Sequence, residues 1–369
     1  MSNYKYLVFS DVHFGHRRTP TDFIISNLNK IFDKHKRWKR DLDIIFIAGD
    51  LYDRRLDMSS PEAVASIAFM LKLIKYCSKY RIKLRILEGT PDHDWRQASL
   101  FSTLIDKGRY DVDYKYIDVL SIEHMNDLNI DILYIPDKWD TPDNTYEQVE
   151  NLLRENGLSK VDLVIMHGQF HYQLPVTLSS SHNESDYIRI TRGLIHAGHI
   201  HRHSVHKSIV VEGSFDRLAH NEEEPKGLLE TTVVDNTYNW KFIENTGAKV
   251  YRTVVVDSSD IEEIEKTVTD AVSKVPRDSY IRFKVTQGSP LPSIIKTLRK
   301  SHPGYYLDYI YDTDKIEETS GDKTLISTRI EPSVSIQIGP DNIKRLLLDR
   351  IVLEKGEQAV FNDELKSVL

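Results

Sequence analysis

Aspartate and histidine recur together at the ends of apolar, β-branched runs in this chain, and that placement is its most informative feature. Asp11-Val12-His13 follows the run Tyr6 to Ser10, and Gly49-Asp50 follows Ile44 to Ala48. Asp92-His93-Asp94 comes shortly after Leu84 to Leu87, His167-Gly168 follows Val161 to Met166, and Gly198-His199-Ile200-His201 follows Leu194 to Ala197. Carboxylates and imidazoles together suit first-row divalent ions such as Mn²⁺, Zn²⁺ or Fe²⁺. The histidines argue against Ca²⁺ or Mg²⁺ alone. A single cysteine excludes both a Cys-rich zinc site and an internal disulfide framework. Two divalent ions, with Mn²⁺ preferred, are therefore the expected cofactors. Residues two apart in an extended segment share a face, so Asp11 with His13, and His199 with His201, are each expected to hold one ion from one side. Asp50 is suited to bridge two ions roughly 3.5 to 4 Å apart, as two-metal phosphoester chemistry requires. His93 is placed to protonate a leaving alkoxide. Each piece alone is weak, because Gly-Asp is commonly a turn and a His-x-His pair commonly sits on a surface. Five such pieces, each just past a strand-like run, carry the signal jointly.

The elements that must position these residues are legible from periodicity. The five runs above, with Ile130 to Ile135, read as buried strands. Between them lie helical spacings such as Phe23, Ile24, Leu28, Phe32, and Val64, Ile67, Leu71, Ile74 after the start signal Ser59-Ser60-Pro61-Glu62. Alternating strand and helix predicts an α/β layered domain, whose ligands gather outside the strands' carboxyl ends. Past His206, short runs at Ile209 to Val211, Leu228 to Val234 and Trp240 to Ile243 suggest a meander or second sheet closing a domain that spans 1–247. A β-α-β-α-β string over 248–312 reads as a smaller α+β domain, 313–340 as a polar linker, and 341–369 as a helical tail whose stripe Ile343, Leu346, Leu347, Ile351 suits a partner's groove. His196, inside an apolar run, is expected in the core, and Cys77 as a buried thiol on a helix.

Composition narrows the partners. Over 369 residues, 49 Lys+Arg stand against 56 Asp+Glu for a net charge of -7, which excludes a uniformly basic nucleic-acid surface. Hydrophobic residues at 40% and charged residues at 28% fit a chain that buries a large core. No run approaches 18 consecutive apolar residues, and the N-terminus enters a strand-like segment directly, so no membrane contact and a cytoplasmic location, in a bacterium or a phage-infected cell, are expected.

DVHFGH at 11–16, GDLYDRR at 49–55, HD at 93–94, HG at 167–168 and GHIH at 198–201 resemble the motif series of the calcineurin-like metallophosphoesterases. GSFDRLAHNEEEPKG at 213–227 is similar to the segment that follows the last motif in their nuclease branch, the SbcD family of double-strand-break nucleases. The resemblance implies a layered metallophosphoesterase sandwich with a capping domain over 248–312. It implies metal ligands Asp11, His13, Asp50, Asp92, His167, His199 and His201, with His93 as the catalytic histidine. It also implies Mn²⁺-dependent DNA exonuclease and endonuclease activity, a homodimer, and an SMC-like ATPase partner of the SbcC type. Two departures stand out. Where the family reads Gly-Asn-His-Asp, this chain has Gly89-Thr90-Pro91-Asp92-His93-Asp94, so a carboxylate takes the place of a neutral amide, and Asp53 stands where a histidine often follows Gly-Asp. His16 and Arg17 are candidates to touch the substrate phosphate, against a solvated loop. Arg217 is a third, either clamping phosphate or ordering Glu222, Glu223 and Glu224, the latter being favoured. The competing functions are a stand-alone metallophosphatase or cyclic-nucleotide phosphodiesterase, and a scaffold subunit whose altered third motif has lost catalysis.

Overall fold

Alternation along the first strand decides the layering. In β1 (Tyr4–Phe9), Leu7 and Phe9 join a cluster with Ile24, Leu28 and Ile31 of the helix Thr21–Lys34 and Met70, Leu73 and Ile74 of the helix Pro61–Tyr80. Tyr6 and Val8 face the other way, into a cluster shared with a second sheet. The computed structural model describes residues 3–108, 110–138, 140–174 and 178–312. The expected linker over 313–340 and helical tail over 341–369 lie outside the described residues.

Strands β2 (Ile44–Ala48), β3 (Lys83–Leu87) and β4 (Tyr114–Ile117) extend the first sheet in parallel from β1. The second sheet takes β5 (Ser121–Met125), β6 (Ile130–Ile135), β7 (Val161–His167), β8 (Thr191–Gly198), β9 (Ser204–His206) and β10 (Ile209–Val211), ordered β5-β6-β7-β8-β10-β9. The hairpin β11 (Gly227–Val234) and β12 (Thr237–Glu244) returns to the first sheet, ordered β12-β11-β1-β2-β3-β4. Its two-residue turn places Asp235 and Asn236 at φ 50° and 60°, the left-handed pair that matches strand twist. The helix Pro142–Glu155 covers the outer face of the second sheet with Val149 and Leu153. The layers thus run helix, sheet, sheet, helix, the α/β sandwich expected from the alternation.

The runs past His206 make neither a separate meander nor a sheet of their own. They divide between both sheets, Ile209–Val211 joining the second and the two later runs the first. Ile209 and Val211 enter the outer cluster and Val210 the inner one, while Leu228 and Leu229 likewise split. The helix Pro61–Tyr80 starts as its signal predicts, with the Ser60 side chain accepting from Ala63 N at 3.2 Å and Pro61 at the first position. Its buried face is Ala63, Ser66, Phe69, Met70, Leu73, Ile74 and Cys77, which shares only Ile74 with the named stripe, and Val64 is 57% exposed. Apolar residues ring this helix, so spacing alone underdetermines the face. Cys77 is buried as expected, and burial pushes its thiol up to about 12.

Strands β13 (Tyr251–Val256), β14 (Tyr280–Val285) and β15 (Tyr306–Tyr311) form a third, wholly parallel sheet. Its crossover helices Ile261–Ser273 and Leu291–Ser301 close a core of Ile264, Val268, Ile281, Phe283, Ile295 and Leu298. Asp216 pins the approach to this sheet: its carboxylate accepts from Lys249 N at 2.6 Å, Asn27 Nδ2 at 2.9 Å and Asn245 Nδ2 at 3.1 Å. Among the described residues, no helix is long and apolar enough to cross a membrane.

Candidate metal centre

The motif residues stand on loops that leave the carboxyl ends of β1, β2, β3, β7 and β8. The first two loops are stitched backbone to backbone, with Asp11 N donating to Gly49 O at 3.1 Å, Val12 N and His13 N to Asp50 O at 2.9 and 3.1 Å, and Phe14 N to Leu51 O at 2.9 Å. Those bonds hold Asp11, His13 and Asp50 at φ 50°, 53° and 49°, a left-handed conformation that is costly for such residues and is found where a surrounding structure over-determines it. Gly49 has φ +89°, and a Cβ there would lie 2.1 Å from His167 Nδ1, so glycine is required for the histidine to approach.

Three sets of ligand atoms converge, each within 4.8 Å: Asp11, His13 and His201; His13, Asp50 and His93; and Asp50, His167 and His199. Asp50 links them. Its Oδ1 is 3.3 Å from His167 Nε2, and its Oδ2 is 2.8 Å from His93 Nδ1 and 3.8 Å from His13 Nε2. At the other end Asp11 Oδ1 is 3.8 Å from His201 Nε2, while its two oxygens accept from His199 N at 3.0 and 3.2 Å. His13 Nε2 and His201 Nε2 face each other at 3.1 Å. Behind them, His201 Nδ1 donates to Glu222 Oε1 at 2.7 Å, and His13 Nδ1 is 3.3 Å from Asp53 Oδ1. The Glu222 carboxylate behind His201 Nδ1 fixes a proton there and turns a lone pair toward His13, so a proton or a cation must lie between the two facing nitrogens. His167 is oriented differently, with Nδ1 donating to the Ala48 carbonyl at 2.9 Å. This donor set of imidazole and carboxylate, shared through one central aspartate, fits two divalent ions.

Charge follows the same geometry. Burial alone would raise Asp50, but the charge and hydrogen bond of His167 and the bond from His93 hold it well below the usual carboxylate range. Burial would lower His167, yet Asp50 carries it up to about 10. His93 is raised, first by its hydrogen bond to Asp50. Glu222, against the pull of burial, is brought down to about 2 by His201 and Lys226. Asp94 is pushed well above its ordinary value by burial and by the charges of Asp50 and Glu88. Its oxygens accept from Tyr52 N at 2.8 Å and Gly89 N at 2.7 Å, tying the second and third loops together.

Asp11, His13, Asp50, His93, His167, His199 and His201 are brought together; Asp92 is not. Its carboxylate is exposed and enters none of the three sets among the described residues. Residues Pro91–Asp94 form one helical turn with Thr90 before it, and about 100° of rotation per residue directs His93 inward while Asp92 swings out. Thr90 takes the inward place instead. Its N donates to Asp50 Oδ1 at 2.6 Å, and its Oγ1 is 3.3 Å from Asp50 Oδ2, 3.3 Å from His167 Nε2 and 3.5 Å from His199 Nδ1. The expected pairing of His199 with His201 also fails. At φ 97° His199 breaks the extended alternation, so the two rings enter different sets.

Arg217 donates through Nε to Glu224 O at 3.1 Å and through Nη1 to Lys249 O at 3.3 Å, contacts that tie it to the acidic run. His16 accepts from Thr19 N at 3.1 Å through Nδ1 and joins none of the sets, and Arg17 is exposed on the same loop. Thr90, Asp53 and Glu222 are the residues that motif reading passed over. The order Gly-Thr-Pro was a signal for the first, but nothing in the spacing announces a carboxylate behind an imidazole.

Residues 4–203 match the family described as calcineurin-like phosphoesterase, which is more than half of the chain. The chain belongs to that family. Membership makes it a metal-dependent phosphoester hydrolase, in keeping with the donor sets above. No curated protein matches the chain. One solved structure similar to it is "GAP50 the anchor in the inner membrane complex of Plasmodium", at 10% identity and a TM-score of 0.40, covering 67% of this chain and 86% of that one. The family fixes the chemistry of the centre and leaves the substrate open.

Proposed function

We propose that the chain is a DNA nuclease subunit of SbcD type, hydrolysing phosphodiester bonds in end processing with two Mn²⁺ ions, as a cytoplasmic homodimer with an SMC-like ATPase of SbcC type. The observation that carries the reading is what the 213–227 segment does. Glu222 backs His201, Lys226 Nζ donates to His201 O at 2.7 Å and pairs with Glu224 at 2.8 Å, and Glu223 accepts from Thr253 N on β13 at 2.7 Å. The stretch that resembles the nuclease branch therefore braces the metal centre and joins it to the sheet over 251–311, which in this reading caps the substrate.

Asp11, His13, Asp50, His167, His199 and His201 would hold the ions, which would supply Lewis-acid charge to a phosphate and acidify water. Asp50 sets the spacing of the two ligand sets. His93, anchored through Nδ1 to Asp50 and 37% exposed, would hold a proton for the leaving oxygen.

One observation favours the second reading, a phosphatase or cyclic-nucleotide phosphodiesterase. A cavity of about 310 Å³ borders Thr90, His167 and His199, with Gln169, Ser180 and His182 on its wall, and suits a small ester. The full chain incubated with linear duplex and single-stranded DNA, in Mn²⁺ and in chelator, decides between them. Metal-dependent cleavage, increased by the ATPase, is expected. No cleavage under any of these conditions, or aryl phosphomonoesters turned over far faster than DNA, overturns the nuclease reading.

A further inference from the structure

Away from the metal centre, a second cavity of about 320 Å³ joins the first-motif loop to the third sheet, with Arg18, His220, Tyr280, Arg299, Tyr306 and Asp308 on its wall. Its architecture follows from register. Tyr251, Tyr280 and Tyr306 are cross-strand partners in a parallel sheet, and strands about 4.8 Å apart bring in-register rings on one face into contact. The rings stack with centroids 4.9 and 4.3 Å apart and interplanar angles of 8° and 12°. One end of the stack is closed. Tyr251 OH meets Thr19 Oγ1 at 3.2 Å, and His220 packs edge-on against Tyr251 at 5.3 Å and 86°. The other end is open, with Tyr306 51% exposed.

The charges around the stack are unequal. Asp308 is met by Arg299 Nη2 at 3.4 Å, and Arg299 Nε donates to Leu307 O at 2.8 Å. Arg18 has no hydrogen-bond or ion-pair partner among the described residues, so the cavity keeps an uncompensated cation on a chain whose net charge is -7. A π-face without a neighbour beside a free guanidinium matches one chemistry: a planar, aromatic base carrying an anionic phosphate. Arg18 stands on the loop that follows the first-motif ligand His13.

We propose that this cavity is a binding site for an unpaired nucleotide of the nucleic-acid strand, whose base extends the Tyr251-Tyr280-Tyr306 stack and whose phosphate is met by Arg18. The inference rests on the nuclease reading and sharpens it, since a base can stack there only when it is single-stranded, frayed or turned out of a duplex.

The test uses the full Mn²⁺-loaded chain and a single strand carrying 2-aminopurine with phosphorothioate linkages that resist cutting. Stacking is expected to quench the fluorophore. Tyr306→Ala should weaken binding roughly five-fold or more and abolish the quench, while Tyr306→Trp should preserve both. Arg18→Ala should reduce the salt dependence of binding by about one phosphate contact. Hydrolysis of bis(p-nitrophenyl) phosphate, which presents no base, should be unchanged in all three variants. Wild-type affinity and quenching in Tyr306→Ala, from a chain that does cut DNA, would overturn the pocket and leave the nuclease reading standing. Tyr306-dependent quenching in a chain that cuts no DNA would do the reverse. If Tyr306→Ala instead changes the sedimentation state without changing strand affinity, the face takes a second copy of the chain and the proposal falls.

Discussion

The two ends of the metal centre are built from similar ligands but are braced in different ways. At the Asp11, His13 and His201 end, each imidazole has a carboxylate behind it, Asp53 for His13 and Glu222 for His201. At the Asp50, His167 and His199 end, the Ala48 carbonyl orients His167, and the neutral Thr90 hydroxyl lies between the ligand atoms. A carboxylate partner makes an imidazole more basic than a carbonyl does. The two ends should therefore differ in affinity although their ligands are nearly the same, and the first should hold its ion more tightly. Asp50 belongs to the second end and reaches the first through His13, whose Nε2 lies 3.8 Å from its Oδ2, so the two ends meet at that carboxylate.

The largest effect is expected where the ends meet. Asp50→Ala should take metal content from two ions per chain to less than one and abolish turnover, measured by elemental analysis of dialysed protein beside a hydrolysis assay. Two ions retained in that variant would mean that Asp50 bridges nothing. Next comes His93→Gln, which should slow turnover about 10²- to 10⁴-fold while both ions stay. Loss of metal with activity would recast His93 as a ligand.

Changes that touch one end alone sharpen the comparison. Glu222→Gln should weaken the tighter ion about 10- to 100-fold and leave the weaker one in place, whereas Thr90→Ala should spare the tighter ion and weaken the other. Calorimetric Mn²⁺ titration of the two variants separates these outcomes, and equal loss at both ends would remove the asymmetry. The pH dependence should differ as well. His167 is carried up to about 10 by Asp50 against the pull of burial, so an ion entering that end displaces a proton at neutral pH. Affinity there should climb by up to tenfold per pH unit between pH 7 and 9. The sign for stability is opposite. A raised histidine stabilises fully below its unfolded value near 6.5 and loses that contribution as pH rises through its folded value, so the chelated protein should melt at lower temperature at pH 10 than at pH 7. A flat affinity profile would show that His167 carries no proton to displace.

How much of this was legible in the sequence depends on the range of the interaction. Strands such as Ile44–Ala48 and Val161–His167 are apolar on both faces, and no alternative environment suits them, so their runs and the residues that follow them could be read directly. The assignment of ligands to ions could not. It depends on φ at single residues, and the left-handed turn at His199 sends His199 and His201 to different ends although period-two reasoning places them together. Glu222 supports His201 from 21 residues away, through a fold that spacing cannot anticipate. The return of the β11–β12 hairpin to the first sheet was hidden for a related reason: apolar runs announce burial but not the sheet in which they are buried.

The smallest expected effect tests the clearest departure of structure from motif. Asp92 stands one residue before His93 and carries the right chemistry for a ligand, so motif alignment places it on an ion. The turn Pro91–Asp94 places its carboxylate in solvent, and the nearby ring of Trp95 donates through Nε1 to the Asp92 carbonyl at 2.7 Å, not to its side chain. An exposed carboxylate one residue from a protonatable ring contributes only a screened interaction. Asp92→Asn should therefore leave two ions per chain and change metal-dependent hydrolysis by no more than about two-fold, with a slight downward drift in the alkaline limb of the pH profile as one negative charge near His93 is lost. Loss of an ion in that variant would restore Asp92 as a ligand and require the Pro91–Asp94 turn to reorganise when metal binds. Retention of both, alongside weakening of the looser ion in Thr90→Ala, would assign the inward position to Thr90.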